Sequence, residues 1–206
     1  MTLLVEKSVA GLLEAFRSTD PTPGGGSASA LAGAVGASLI VMVGSLPKPR
    51  ASTSEDVERL QAVVGRCTAL ADELAGLVDR DSAAYETVMA AYRLPKSTDG
   101  EKQARSARIQ EALRFAIDAP LAMMRACAAA MEQAVVVASL GNLNAASDVQ
   151  VAIELLTAGL NGARVNVDIN LKSVKDASYA EATRAEIAEL TRAAAHEADA
   201  ARKHLT

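Results

Sequence analysis

The sequence predicts an all-α protein, a multihelical bundle around a buried central helix. Three observations carry this reading. No charged residue occurs between Asp20 and Lys48, and about twenty small or apolar residues in a row fill most of that gap. Elsewhere apolar residues recur at steps of three and four, the period of an α-helix. No stretch alternates with a period of two over a useful length, and the β-like run Val135 to Val137 is too short for a strand. The 206 residues suit one domain, 1–206, and the hydrophobic half of them can supply its core.

The first segment, Leu3 to Arg17, places Val5, Val9, Leu12, Leu13 and Phe16 at helical spacing. Ser18 to Gly26 breaks it with a proline-glycine loop. The central helix should run from Ser27 to about Leu46, with Ser27 as its N-cap. It has no polar face, so burial all round is expected. Ala32, Gly33, Gly36, Ala37 and Gly44 leave room for neighbouring backbones. The run is long enough to span a bilayer. It is nevertheless rich in Ala and Gly, lacks an aromatic belt and begins too deep for a signal peptide, so it reads as the core helix of a soluble bundle. Pro47 and Pro49 end it.

Ser52 and Glu55 have capping-box spacing and open a helix to about Arg93, bent if anywhere near Gly65 or Gly76. Its stripe is Val57, Leu60, Val64, Cys67, Ala71, Leu74, Val78, Asp81, Tyr85, Val88 and Tyr92. Asp81 is thus a carboxylate where the pattern calls for core, whereas Asp79 falls off the stripe and should be solvated. Thr98 and Glu101 make another box, and Ile109, Leu113, Ala116 and Ile117 mark the helix that follows. Pro120 either kinks that helix or opens a new one to about Leu140. Gly141 to Asn144 is a loop, with Asn144 as cap of the next helix. One face of that helix carries Asp148, Ala152, Leu155, Gly159, Gly162, Asn166 and Asn170. Asp148 and Asn166 lie roughly 27 Å apart on a straight helix, too far for one small site within one chain. Ser178 and Glu181 form a last box before an Ala-rich, charged outer helix with Ile187, Leu190 and Ala194 as its apolar stripe.

Composition excludes several functions. A net charge of -4 gives no basic footprint for nucleic acid, and 2% aromatics supply no stacking platform. Cys67 and Cys127 stand far apart without a CxxC, which suits a reducing cytoplasm. His196 and His204 are the only histidines, no zinc spacing is present, and no GxGxxG or P-loop occurs. A carboxylate on an inward face is costly unless paired or hydrogen-bonded. Asp81 and Asp148 are therefore either structural caps or groups kept partly desolvated for proton transfer or for a cationic substrate.

The stretches PTPGGGSASALAGA at 21–34, LVDRDSAAY at 77–85, LPK at 94–96, GNLNAASDVQVA at 141–152 and GARVNVDINLK at 162–172 stand in one order. Together they resemble the family of formimidoyltetrahydrofolate cyclodeaminases and short methenyltetrahydrofolate cyclohydrolases, from about residue 3 to 180. The resemblance implies a multihelical fold, a homodimer and a tetrahydrofolate derivative as substrate, with neither metal nor nicotinamide. It implies that Asp81 transfers protons and that Asp148 belongs to the catalytic set. Gly24, Gly25, Gly26, Ser27, Asn166 and Asn170 match substrate-binding motifs. Lys48, Arg50, Lys96 and Lys172 are candidates for the folate's glutamate tail, Arg50 and Lys96 foremost. Where the family usually has Thr-x-Gly-Lys/Arg after the central helix, this chain has Pro47-Lys48-Pro49-Arg50. The expected reaction is hydrolysis of 5,10-methenyltetrahydrofolate to 10-formyltetrahydrofolate. Cyclodeamination with release of ammonia, or folate binding without catalysis, are the alternatives.

Overall fold

Helices built from the apolar stripes account for almost all of the chain. The structure, a computed structural model, describes residues 3–205. Six α-helices follow one another: α1 (Val9–Arg17), α2 (Gly25–Ser45), α3 (Ser54–Tyr92), α4 (Asp99–Leu140), α5 (Ala146–Leu171) and α6 (Ala177–Arg202). Short 3-10 turns at Leu4–Glu6 and Leu143–Ala145 precede α1 and α5, and no strand occurs among the described residues. Helices α2 to α5 form a four-helix core in which α2 packs between α3 and α5, and α4 closes the other side. Helix α6 lies outside, mainly on α4.

Close approach is bought with glycine. A Cβ on Gly36 would stand 3.0 Å from the Ala152 carbonyl, and one on Gly159 2.9 Å from that of Ser29. Helices α2 and α5 therefore run antiparallel with their backbones nearly touching. Gly159→Ala forces two backbones apart and is expected to cost about 1–3 kcal/mol of stability. Gly76→Ala, at an exposed position with nothing within 4 Å, should instead add up to about 1 kcal/mol. Urea unfolding of the two variants, read by circular dichroism, checks both signs.

Several termini differ from expectation, each for a local reason. Helix α2 starts at Gly25 with Gly24 as its N-cap, so Ser27 lies inside the first turn. Thr53 caps α3 by accepting from the Asp56 N–H, one residue from the expected Ser52. The Thr98–Glu101 box opens α4 as expected. Asn142 caps the 3-10 turn, and Asn144 caps nothing. Asp176, not Ser178, caps α6 by accepting from the Tyr179 N–H. Helix α3 runs unbroken past Gly65 and Gly76. The first segment is split, with Ser8 capping α1, and α1 buries only Leu12.

Pro120 opens no new helix, because α4 continues through it. Proline removes the N–H that would bond the carbonyl four residues back. That carbonyl belongs to Ala116, and Asn170 of α5 donates to it from Nδ2 at 3.1 Å. The polar residue at the end of α5 and the proline in α4 thus satisfy each other.

Helix α2 is not buried all round. Ala28, Val35, Ser38 and Met42 form an exposed line on its outer face. The Ser38 hydroxyl is turned back onto the Ala34 carbonyl at 2.8 Å. Helices α2 and α4 are both long and apolar enough to cross a membrane, but 56% of each apolar window is buried inside the fold.

Candidate active site

The antiparallel packing brings the start of α2, the middle of α3 and the end of α5 to one end of the four-helix core. Asp81 sits there half-buried, on the inward stripe of α3 where its spacing put it. Its carboxylate occupies the space that a side chain at position 26 would need, since a Cβ on Gly26 would overlap it, with Oδ2 at 2.6 Å. Glycine at 26 is therefore what admits the acid to the α2 backbone.

Ser27 is fully buried beside it. Its hydroxyl lies 2.8 Å from the Val78 carbonyl, 3.2 Å from Asp81 Oδ2 and 3.2 Å from the Ser82 hydroxyl. One hydroxyl proton cannot serve two acceptors at once. When Asp81 is neutral it can donate to Ser27 Oγ while Ser27 donates to Val78, and every group is satisfied. When Asp81 is ionised, the Ser27 proton must be turned toward it, and the Val78 carbonyl keeps only its bond within the helix. Burial raises the pKa of Asp81 above the ordinary carboxylate range, and hydrogen bonds from the Ser27 hydroxyl and N–H only partly oppose this.

Asn166 stands at the same end, its Nδ2 3.9 Å from where a Cβ on Gly25 would be. It donates to the Gly162 carbonyl of its own helix at 2.9 Å. Gly24, Gly25, Gly26, Ser27, Asp81 and Asn166 are thus brought together, and Asn170 lies one turn beyond Asn166, with its amide engaged by Ala116. Sequence reasoning missed Ser82, which joins the cluster through Ser27. Beside it a cavity of about 700 Å³ is lined by Leu3, Leu4, Lys7, Thr22, Pro23, Asp79, Arg80, Ser82, Ala83 and Glu86. Asp79 is not simply solvated, for it accepts from the Leu4 N–H at 2.6 Å and fastens the N-terminal turn over this cavity.

The other expected residues lie elsewhere in the chain. Lys96 is exposed in the α3–α4 turn, beyond the end of α3. Arg50 is at the opposite end of the core. Its Nη2 donates to the Ala138 carbonyl in the last turn of α4, and its N–H bonds the Gly141 carbonyl at 3.2 Å. A guanidinium there complements the negative end of α4. Asp148, in the first turn of α5, belongs to that same far end and makes no hydrogen bond or ion pair among the described residues. Helix α5 does not break between Asp148 and Asn166, so one chain cannot place both in one small site. Lys48 is also at the far end, exposed and with φ 57°, in the left-handed region that non-glycine residues rarely enter.

The site is thus a half-buried carboxylate set against a glycine-opened helix end, on a helical scaffold. The chain belongs to the formiminotransferase-cyclodeaminase family, whose model matches residues 8–189. It is similar to a methenyltetrahydrofolate cyclohydrolase of Methylorubrum extorquens, 42% identical over 85% of this chain and 84% of that protein. It is 33% identical to the formimidoyltransferase-cyclodeaminase of Rattus norvegicus over 91% of this chain, and spans only 35% of that longer protein. Among solved structures, a formiminotetrahydrofolate cyclodeaminase from Thermotoga maritima matches with a TM-score of 0.86 and 26% identity, covering 97% of this chain and 96% of that one.

Proposed function

We propose that the protein hydrolyses 5,10-methenyltetrahydrofolate to 10-formyltetrahydrofolate in the cytoplasm, without metal or redox cofactor. The observation that carries this is Asp81, half-buried against Gly26 and tied to Ser27. Similarity to the cyclohydrolase over most of both chains supports the choice of reaction. The substrate's amidinium carbon bridges two nitrogens and bears positive charge, which an ionised Asp81 offsets. Water adds to that carbon, and Asp81 takes one of its protons. The carbon–nitrogen bond to the ring then breaks, and the leaving nitrogen receives the proton from Asp81. The carbinol proton passes to solvent as the formyl group forms. One carboxylate with a raised pKa serves as base and then as acid.

The cavity beside Ser82 has apolar walls from Leu3, Leu4, Pro23 and Ala83, which suit a flat ring system. Lys7 and Arg80 on its rim suit the carboxylates of the folate tail.

The active form is a homodimer. Val35 and Met42 of α2, with Val151, Val165 and Ile169 of α5, are exposed and apolar on adjoining helices. Patches of this kind mark association surfaces. Sedimentation without detergent should give a dimer.

Loss of methenyltetrahydrofolate absorbance on adding purified protein tests the reaction, and no turnover refutes it. Because the ionised form of Asp81 starts the reaction, kcat/KM should fall on acidification, with its midpoint above the ordinary carboxylate range. A midpoint at or below the ordinary value of 3.8 contradicts Asp81 as the base. The Thermotoga neighbour favours a second reading, cyclodeamination, which would use the same proton shuttle. Ammonia released from formiminotetrahydrofolate by this protein would establish it.

A further inference from the structure

The expected site residues fall into two groups at opposite ends of the core, and neither group is complete. One end holds Asp81, the glycine loop and Asn166, and the other holds Asp148, which has no partner in its own chain among the described residues. We infer that each active site is completed by a second copy of this chain, whose Asp148 stands over the glycine loop and faces the bound substrate. This rests on the function proposed above.

The geometry is that of a twofold axis across the α2–α5 face. The exposed line on α2 runs from Ala28 to Met42, and its midpoint is Val35. Gly162 lies against Ser29, and Gly36 against Ala152 and Leu156, so Asp148 stands level with Met42. A half-turn about an axis through Val35 exchanges the levels of Met42 and Ala28. The partner's Asp148 then comes to the level of Gly26 and Ser27, within two residues or roughly 3 Å along the helix axis, on the α5 side of the face.

A second copy is the occupant the face is suited to. Its exposed line on α2 bears no charge, so an identical line meets it without an unpaired ion. A symmetric pairing uses the same patch on both copies, as a twofold interface requires. Helices of 21 and 26 residues present about 30 Å by 20 Å. That is about 600 Å² per copy, enough for a specific pair. The arriving carboxylate meets an end with no Lys or Arg in its glycine loop, so a cationic substrate between Asp81 and the partner's acid relieves their repulsion.

Two measurements test this. The first pairs Asp81→Asn with Asp148→Asn, each folded alone as judged by circular dichroism and each expected to lose most turnover. When the two are refolded together, every mixed dimer has one site with both lesions and one with neither. Random pairing should restore about a quarter of wild-type turnover. No restoration, or full activity of Asp148→Asn alone, overturns the proposal. The second uses Ala28→Cys with Asp148→Cys in one chain and a short bis-maleimide. Positions 28 and 148 are separated along the core by roughly 20 Å within a chain. A covalent dimer on a denaturing gel is expected, and its absence overturns the proposal. This result does not depend on turnover, so it stands or falls apart from the assigned reaction. It also remains readable if an Asn variant fails to fold.

Discussion

Replacing Asp81 by Asn is expected to lower turnover of methenyltetrahydrofolate by roughly a hundredfold or more, with the helical fold intact. Asn keeps the shape of the side chain and an oxygen that accepts from Ser27, but it cannot hold and return a proton. The same substitution should not weaken the protein at neutral pH. The folded chain holds the Asp81 proton more tightly than the unfolded chain, because burial raises the folded-state pKa. Unfolding therefore releases a proton, and wild-type stability falls as pH rises from about 3.8 through the raised value. At neutral pH the Asn variant, free of that cost, should equal or exceed wild type in urea. The difference should shrink on acidification below the ordinary carboxylate range. Asp79→Asn is the comparison. It keeps an oxygen for the Leu4 N–H at the N-terminal turn and does not touch Gly26. Its turnover should change far less. Wild-type turnover in Asp81→Asn, or a dead Asp79→Asn, would show that the wrong carboxylate had been chosen.

What can be read from the chain follows from how local each cause is. Helix periods are local, so the middle of the inward stripe of α3 and the odd position of Asp81 on it are legible in the order of residues alone, whereas Val57, Tyr85 and Tyr92 of that stripe are exposed. The Thr98–Glu101 box is legible because both partners lie within one turn. Ser27 is misread because a Ser after three glycines has the chemistry of a cap. Its hydroxyl instead finds Val78, 51 residues away, and glycine itself begins the helix. Asp79 reads as solvated because its partner, Leu4, is 75 residues distant. The role of Asn170 depends on a proline in another helix. Arg50 reads as a ligand contact because the carbonyl that engages it, at the end of α4, is 88 residues along the chain. The exposed stripe on α2 cannot be told from a buried one, because an apolar residue has the same chemistry against its own chain or against a second one.

Gly26→Ala should disable the site as thoroughly as removing the acid, and for a different reason. A methyl group at this position would lie inside the Asp81 carboxylate, with Cγ and both oxygens all closer than any real contact. Asp81 is on a helix held by Leu74, Leu77 and Val78, all buried, so the α3 backbone cannot retreat cheaply. The carboxylate must rotate away, and its link to Ser27 Oγ at 3.2 Å is lost. The Ser27 hydroxyl keeps Val78 as acceptor, so the fold survives at a cost of about 1–3 kcal/mol. Turnover should drop roughly a hundredfold or more, because displacement of the proton carrier by even 1 Å is that costly. Gly25→Ala is the control one residue earlier. Its methyl would meet Asn166 Nδ2 at 3.9 Å, an ordinary contact, and position 25 is exposed at the first turn of α2. It should retain most activity and near-wild-type stability. Paired kinetics and urea unfolding decide the matter: equal losses in the two variants would mean that the loop needs glycine for its backbone, and that the contact between position 26 and Asp81 does not set the rate.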